Sequence, residues 1–168
     1  MNDSSVSVAK IAKILDLKNF TDNIDLKKIK ITSSDVNRPA LQLTGYFAHF
    51  EQSRIQMIGN VEYAYIQQMN DEEKRIRYNA FLQFEIPCVI FCRDLQPDAI
   101  FIEQAEKNHV PILGTGRPTS EFMAELIYTL AEKLAPCITV HGVLVDVYGE
   151  GLMITGDSGI GKSEAALE

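Results

Sequence analysis

Leu152-Met153-Ile154-Thr155-Gly156-Asp157-Ser158-Gly159-Ile160-Gly161-Lys162-Ser163-Glu164-Ala165-Ala166-Leu167 runs from an apolar strand through a glycine-rich loop into a helix-forming segment. Gly156 to Ser163 fit G-x-x-x-x-G-K-[ST], and the flanks supply the strand before and the helix after that a phosphate-binding loop requires. The glycines let the backbone curl so that successive N–H groups turn toward phosphate oxygens, where a helix start adds partial positive charge. Lys162 then reaches the β- and γ-phosphates of a nucleotide, and the Ser163 hydroxyl takes one position on Mg²⁺. Gly156, Asp157, Ser158, Gly159, Ile160, Gly161, Lys162 and Ser163 are the candidate nucleotide-binding residues, with Ser163 the candidate metal ligand. The bland alternative is a strand-to-helix turn that binds nothing. Even as a phosphate loop the motif leaves the reaction open, because kinases, ATPases, GTPases and transporters share it. The sequence has no Asn-Lys-x-Asp motif for reading guanine.

Upstream of the loop, Ile138 to Tyr148 reads as a strand, Gly149-Glu150-Gly151 as a turn with two residues free to take positive φ, and Leu152 to Thr155 as the returning strand. Before Pro136 the rhythm is different. Ser4 to Leu17 has apolar residues at helical spacing, and Ile29 to Ile31 resembles a strand. Arg38 to Tyr46 reads as a loop entering a strand or turn. Arg54 to Gly59 alternates with period two, and Asn60 follows as the expected cap of a helix. Asn70 and Glu73 have the spacing of a capping box for a helix to Gln83, with Ile76, Ala80 and Phe81 expected on its inner side. Ile86 to Cys92 is a nearly continuous apolar run, as in a strand covered on both faces. A helix over Pro97 to Asn108, a strand over Val110 to Gly114 and a helix capped by Ser120 complete the pattern. That last helix is apolar at Phe122, Ile127, Leu130 and Leu134. Alternating strands and helices predict βαβ units and a mostly parallel sheet, so the fold class is α/β. The expected division is an N-terminal α/β domain over 1–133 and the beginning of a second domain over 134–168.

A chain of 168 residues with 46% hydrophobic residues can build a core, which excludes disorder as its main state. Its net charge of −7 provides no field for nucleic acid or an anionic membrane, and no stretch is long and apolar enough to span a bilayer. We therefore expect a cytoplasmic protein with no nucleic-acid or membrane partner. Cys88, Cys92 and Cys137 sit in apolar surroundings that suit buried thiols better than disulfides or zinc.

The run His141-Gly142-Val143-Leu144-Val145-Asp146-Val147-Tyr148-Gly149, continued by Leu152 to Glu164, resembles the bifunctional HPr kinase/phosphorylase family. The resemblance extends upstream through Arg38-Pro39, Gly45-Tyr46-Phe47, Arg54-Ile55-Gln56, Gly59, Pro111-Ile112-Leu113 and Leu134-Ala135-Pro136, so it covers essentially the whole chain. It implies an N-terminal α/β domain like one found in Mur ligases, then a P-loop kinase domain related to phosphoenolpyruvate carboxykinase, assembled as a homohexamer. It also implies phosphorylation of a serine of the phosphocarrier HPr with ATP or pyrophosphate, dependent on Mg²⁺. The reverse phosphorolysis accompanies it, in the service of carbon catabolite repression. By the same resemblance His141 and Lys162 are catalytic. On spacing alone His141 is more simply a structural histidine, and its imidazole becomes useful only near a transferring phosphoryl group. Asp146 reads as a strand-face residue, Asp157 as a shaper of the loop, and His49 and His109 receive no role.

The sequence ends shortly after Ser163. We therefore expect a fragment whose second acidic Mg²⁺ ligand and serine-activating carboxylate lie downstream, and which does not transfer phosphate alone. A different P-loop kinase or carboxykinase-like enzyme is one competing reading. A non-enzymatic assembly module with a vestigial loop is the other. Retained MgATP binding favours an enzyme, and association without it favours the module.

Overall fold

The computed structural model describes residues 5–136 and 140–166, and the chain divides into two compact units, Met1–Ala135 and Pro136–Glu168. The first unit opens with β1 (Val6–Ser7), α1 (Val8–Ile14), β2 (Lys18–Asn19) and β3 (Lys30–Ile31). It continues with β4 (Val36–Asn37), α2 (Ala40–Leu43), β5 (Ile55–Ile58), α3 (Asn60–Gln67) and α4 (Asp71–Leu82). It closes with β6 (Val89–Phe91), α5 (Ala99–Lys107), β7 (Ile112–Gly114) and α6 (Thr119–Leu134). Strands β4, β5, β6 and β7 are parallel neighbours in sequence order, and β2 adds antiparallel to the outer side of β7.

Alternation along these strands explains why the sheet is covered on both sides. Ile55, Met57, Ile90 and Leu113 join Val8, Ile11, Phe122, Leu126 and Leu130, from α1 and α6, in one cluster. Ile58, Val89, Phe91 and Ile112 join Leu43, Tyr78, Phe81 and Phe101, from α2, α4 and α5, in the other. The result is a helix–sheet–helix sandwich, and full burial of a side chain such as Phe81 or Leu126 stabilises it by roughly 1.5–3 kcal/mol. The fold is α/β, and its main sheet is parallel-rich.

Several local expectations are corrected. The first helix starts at Val8, because Val6 and Ser7 pair with Ile31 and Lys30 and the Ser7 hydroxyl accepts from Lys10 N at 3.3 Å. Between Arg38 and Tyr46 the chain forms a turn of helix, α2, which buries Leu43 and ends at Gly45 (φ +93). Gly59 rather than Asn60 precedes α3, with its N–H donating to the Glu62 carboxylate at 2.9 Å. The Asn70/Glu73 capping box forms as expected, but Ile76 is exposed and Tyr78, Phe81 and Leu82 face inward. Similarly α6 starts at Thr119, ahead of Ser120, and buries Phe122, Leu126 and Leu130 at a spacing of four, leaving Ile127 partly exposed.

Cys88 and Cys92 flank β6 as buried free thiols. Burial pushes Cys88 up to about 12. It also pushes Cys92 up to about 11, against the opposing influence of Thr119, Arg38 and Arg93. Cys137 lies outside the described residues, as do Ile138 and Leu167.

In the second unit β8 (Gly142–Val147) and β9 (Glu150–Thr155) form an antiparallel hairpin, followed by the turn of helix α7 (Lys162–Ala165). The turn falls on Tyr148 and Gly149, at φ 57 and 85, not on Gly149 to Gly151. Val147 pairs with Glu150 and Asp146 with Gly151, so only two residues connect the strands. A two-residue turn with both φ positive matches the strand twist, and Asp146 Oδ1 secures it by accepting from Gly149 N at 2.8 Å.

Candidate functional site

The hairpin register sets Gly142 opposite Thr155. His141, which precedes β8, therefore comes alongside Gly156, the first residue of the phosphate loop. Together with Gly142, Asp157, Ser158 and Lys162 these two residues line a cavity of about 480 Å³.

The loop's curl depends on glycine at two places. Gly161 occupies the left-handed region (φ 89, ψ 22) immediately before α7, where an L side chain costs about 1–2 kcal/mol. Gly156 adopts φ +158, a conformation L side chains rarely take, and a Cβ there would stand 2.4 Å from Ile160 Cδ1, so the exposed Ile160 side chain would have to shift.

Lys162 Nζ donates to the carbonyl oxygens of Gly156, at 2.9 Å, and Asp157, at 2.5 Å. These two bonds draw the ammonium back over the loop. An ammonium has three donors, so one remains for an anionic oxygen in the cavity. Asp157 contributes the carboxylate among the cavity-lining residues. The Asp146 carboxylate is spent at the hairpin turn.

Of the residues singled out in the sequence, His141, Gly156, Asp157, Ser158 and Lys162 are brought together around the cavity. Gly159 (φ 85), Ile160 and Gly161 complete the curve of the loop, and Ser163 stands exposed in the first turn of α7, outside the cavity lining. Gly142 lines the cavity without having been singled out for it. Its signal was the hairpin register, which follows from the true turn position.

Residues 6–130 match the family described as "HPr Serine kinase N terminus", and residues 132–168 match "HPr Serine kinase C-terminal domain". An HPr kinase/phosphorylase of Lachnoclostridium phytofermentans is 51% identical over 164 residues, 98% of this chain and 53% of its own length. The HPr kinase/phosphorylase of Caldanaerobacter subterraneus subsp. tengcongensis is 46% identical over 163 residues, 97% of this chain and 53% of its own. The chain thus spans about half the length of the curated relatives it matches. Among solved structures, the CBS and DRTGG domains of the regulatory region of Clostridium perfringens pyrophosphatase, complexed with the activator diadenosine tetraphosphate, superpose with a TM-score of 0.50. That likeness covers 72% of this chain and 45% of the other at 17% identity, and it is one of fold alone. Because the adjoining family matches and the near-full-length identities converge on a single family, this chain belongs to the HPr serine kinase family.

Proposed function

We propose that the protein to which this chain belongs is a cytoplasmic, Mg²⁺-dependent kinase and phosphorylase acting on a serine of HPr. Its phosphoryl donors are ATP or pyrophosphate, and its role is carbon catabolite repression. Residues 134–168 open its kinase domain behind the α/β domain of 1–133. The observation that carries this is the cavity in which a Lys162-bearing phosphate loop and His141 face one another. The 51% identity to an HPr kinase/phosphorylase supplies the substrate class.

In this reading the amides of Gly156 to Gly161 hold the β-phosphate while Lys162 neutralises charge on the transferring group. His141 donates a hydrogen bond at the cavity wall, where its ring reaches the same oxygens. Ser163 and phosphate oxygens would hold Mg²⁺. A hydroxyl beside phosphates is the hard oxygen set this ion takes while keeping several waters, and the ion supplies charge neutralisation on the phosphates when bound. Phosphorylation of a serine also needs a carboxylate to accept the hydroxyl proton. Asp157, the one carboxylate lining the described cavity, belongs to the loop that holds phosphate. The 168-residue chain therefore binds nucleotide without transferring phosphate. Leu144, Leu152 and Met153, about half exposed or more, give the unit apolar surface for association, and the assembled protein is a homohexamer.

Nucleotide binding and transfer are tested separately. MgATP is expected to raise the thermal midpoint of the parent chain and to leave Lys162→Ala unshifted; equal protection of both would remove the loop from the site. Mass spectrometry of HPr incubated with the chain and MgATP is expected to find no phosphoserine, and its appearance would defeat the claim that the chain does not transfer phosphate.

A further inference from the structure

Arg38, Gly59 and the loops after β6 and β7 have no part in the nucleotide site, yet they meet at one point of the N-terminal unit. Arg38 follows β4, Asn60 and Val61 follow β5, Arg93 follows β6, and Thr119 and Ser120 come after β7. These six residues line a cavity of about 220 Å³. They follow the ends of four consecutive parallel strands, so the cavity lies beyond the carboxyl edge of the sheet. There α3 contributes Ile66 to one core cluster while α6 contributes Phe122 to the other. The chain thus departs to opposite faces on either side of β6, and this divergence opens the kind of crevice where α/β sheets bind ligands.

The crevice is built for negative charge. The Arg38 guanidinium donates to Glu62 Oε2 at 2.7 Å, and the same oxygen accepts from Gly59 N at 2.9 Å. Glu62 is 2% exposed while the Arg38 side chain is 40% exposed, so the buried carboxylate anchors a guanidinium that stays partly open to solvent. Arg93 makes no ion pair or side-chain hydrogen bond among the described residues, and its left-handed backbone (φ 60) is held by a bond from its N–H to Arg117 O at 3.0 Å. Both arginines line this one small cavity, which places their charges around one spot. Two guanidinium groups against one carboxylate leave the crevice positive in a chain of net charge −7.

Neutral donors converge on the same place. Helix α6 has no side-chain cap, so its first amides lack intrahelical partners. Thr119, 7% exposed, keeps a buried hydroxyl with no hydrogen-bond partner of normal geometry. The neighbouring Cys92 sulfur is only a weak acceptor for it. A buried polar atom of this kind is uncommon, and an oxyanion in the crevice would satisfy it.

We propose that this crevice binds a phosphoryl group, through Arg38, Arg93, the Thr119 hydroxyl and the amides at the starts of α3 and α6. Guanidinium forks and helix-start amides together match a tetrahedral dianion. The cavity accommodates that group and the first atoms of an ester, being smaller than the roughly 300–1,000 Å³ of sites that enclose a drug-sized ligand. Val61, 67% exposed at the rim, leaves the remainder of an ester in solvent. Inorganic phosphate and a phosphomonoester share this chemistry.

The test is an amide chemical-shift titration of the full chain with inorganic phosphate and, separately, with glycerol 1-phosphate. Sodium chloride at matched ionic strength is the control. Saturable shifts are expected at Gly59 to Val61 and at Thr119 to Glu121, whatever happens at Gly156 to Ser163. Tighter binding of the ester identifies a metabolite site, and tighter binding of phosphate a site for the free ion. Arg93→Gln, which breaks no ion pair, should weaken these shifts about tenfold, the loss of one charge-assisted bond. Thr119→Val should weaken them while leaving the thermal midpoint unchanged or higher. The proposal is overturned by shifts confined to residues 156–163, by shifts that chloride reproduces, or by variants that bind as the parent does.

Discussion

The two units use strands in opposite ways. In the first, β5, β6 and β7 are buried along their whole length between two apolar clusters. In the second, no residue of β8 or β9 is fully buried and Leu144 is 74% exposed. The first unit takes its shape from packing. The second holds its loop through a ladder, a two-residue turn and the bonds of Lys162. A side chain's contribution should therefore depend on which unit carries it, even where residue type is similar.

The largest expected effect is in the N-terminal core. Phe101 is 1% exposed and its ring lies 4.6 Å from that of Tyr78 and 5.2 Å from that of Phe91. Phe101→Ala should lower unfolding free energy by about 3–5 kcal/mol, through lost burial and the cavity left behind. Urea denaturation followed by tyrosine fluorescence or far-ultraviolet dichroism reads it. A loss below about 1 kcal/mol would mean that the first unit tolerates voids as readily as an exposed hairpin.

A smaller effect distinguishes the units by pH. Cys88 and Cys92 are raised by burial to about 12 and about 11, above the thiol value of the unfolded chain. The stability that accompanies their neutral forms is fully present below about pH 8.5. It is lost as the pH rises from there through their folded values, because the unfolded chain releases its protons first. Tyr78 is pushed in the same direction, mainly by burial and then by Asp98, whose carboxylate accepts from its hydroxyl at 3.0 Å. The urea midpoint of the first unit should fall between pH 9 and 11, at a cost of about 2–4 kcal/mol. Cys88→Ala/Cys92→Ala should fall less steeply over the same interval. Identical slopes for parent and variant would assign the alkaline loss elsewhere.

The contrast also explains which features were legible in the sequence. The phosphate loop, the Asn70/Glu73 box and the apolar run at β6 are local signals, carried by residues a few positions apart. Strand β2 was not legible because its partner is Gly114, remote in sequence, and two residues carry no periodicity. The inward face of α4 turned on Leu82 rather than Ile76, a choice made by α5 packing against it and not by α4's own pattern. Gly59 displaced Asn60 at the start of α3 because Glu62 is fixed from outside by Arg38. His141 was legible only through resemblance, since its approach to Gly156 depends on a hairpin register that the misplaced turn obscured. The crevice formed by Arg38, Arg93 and Thr119 left least trace, because it is assembled from four loops that the sheet alone brings together.

The smallest expected effect is the sharpest test of the comparison. Leu152 lies in β9, opposite Val145, and is 54% exposed. Truncation there removes apolar surface that is already largely in water, so Leu152→Ala should change the unfolding free energy by less than about 0.5 kcal/mol. Leu126→Ala, made in the buried face of α6, should cost about 2–5 kcal/mol. The same atoms are deleted in both variants, so the ratio measures how much packing each site provides. If dilute chain shows a Leu152→Ala loss comparable to that of Leu126→Ala, the hairpin face is covered in solution and the difference between the units collapses. If a loss appears only as protein concentration rises, another copy of the chain supplies the cover, because self-association stabilises by mass action.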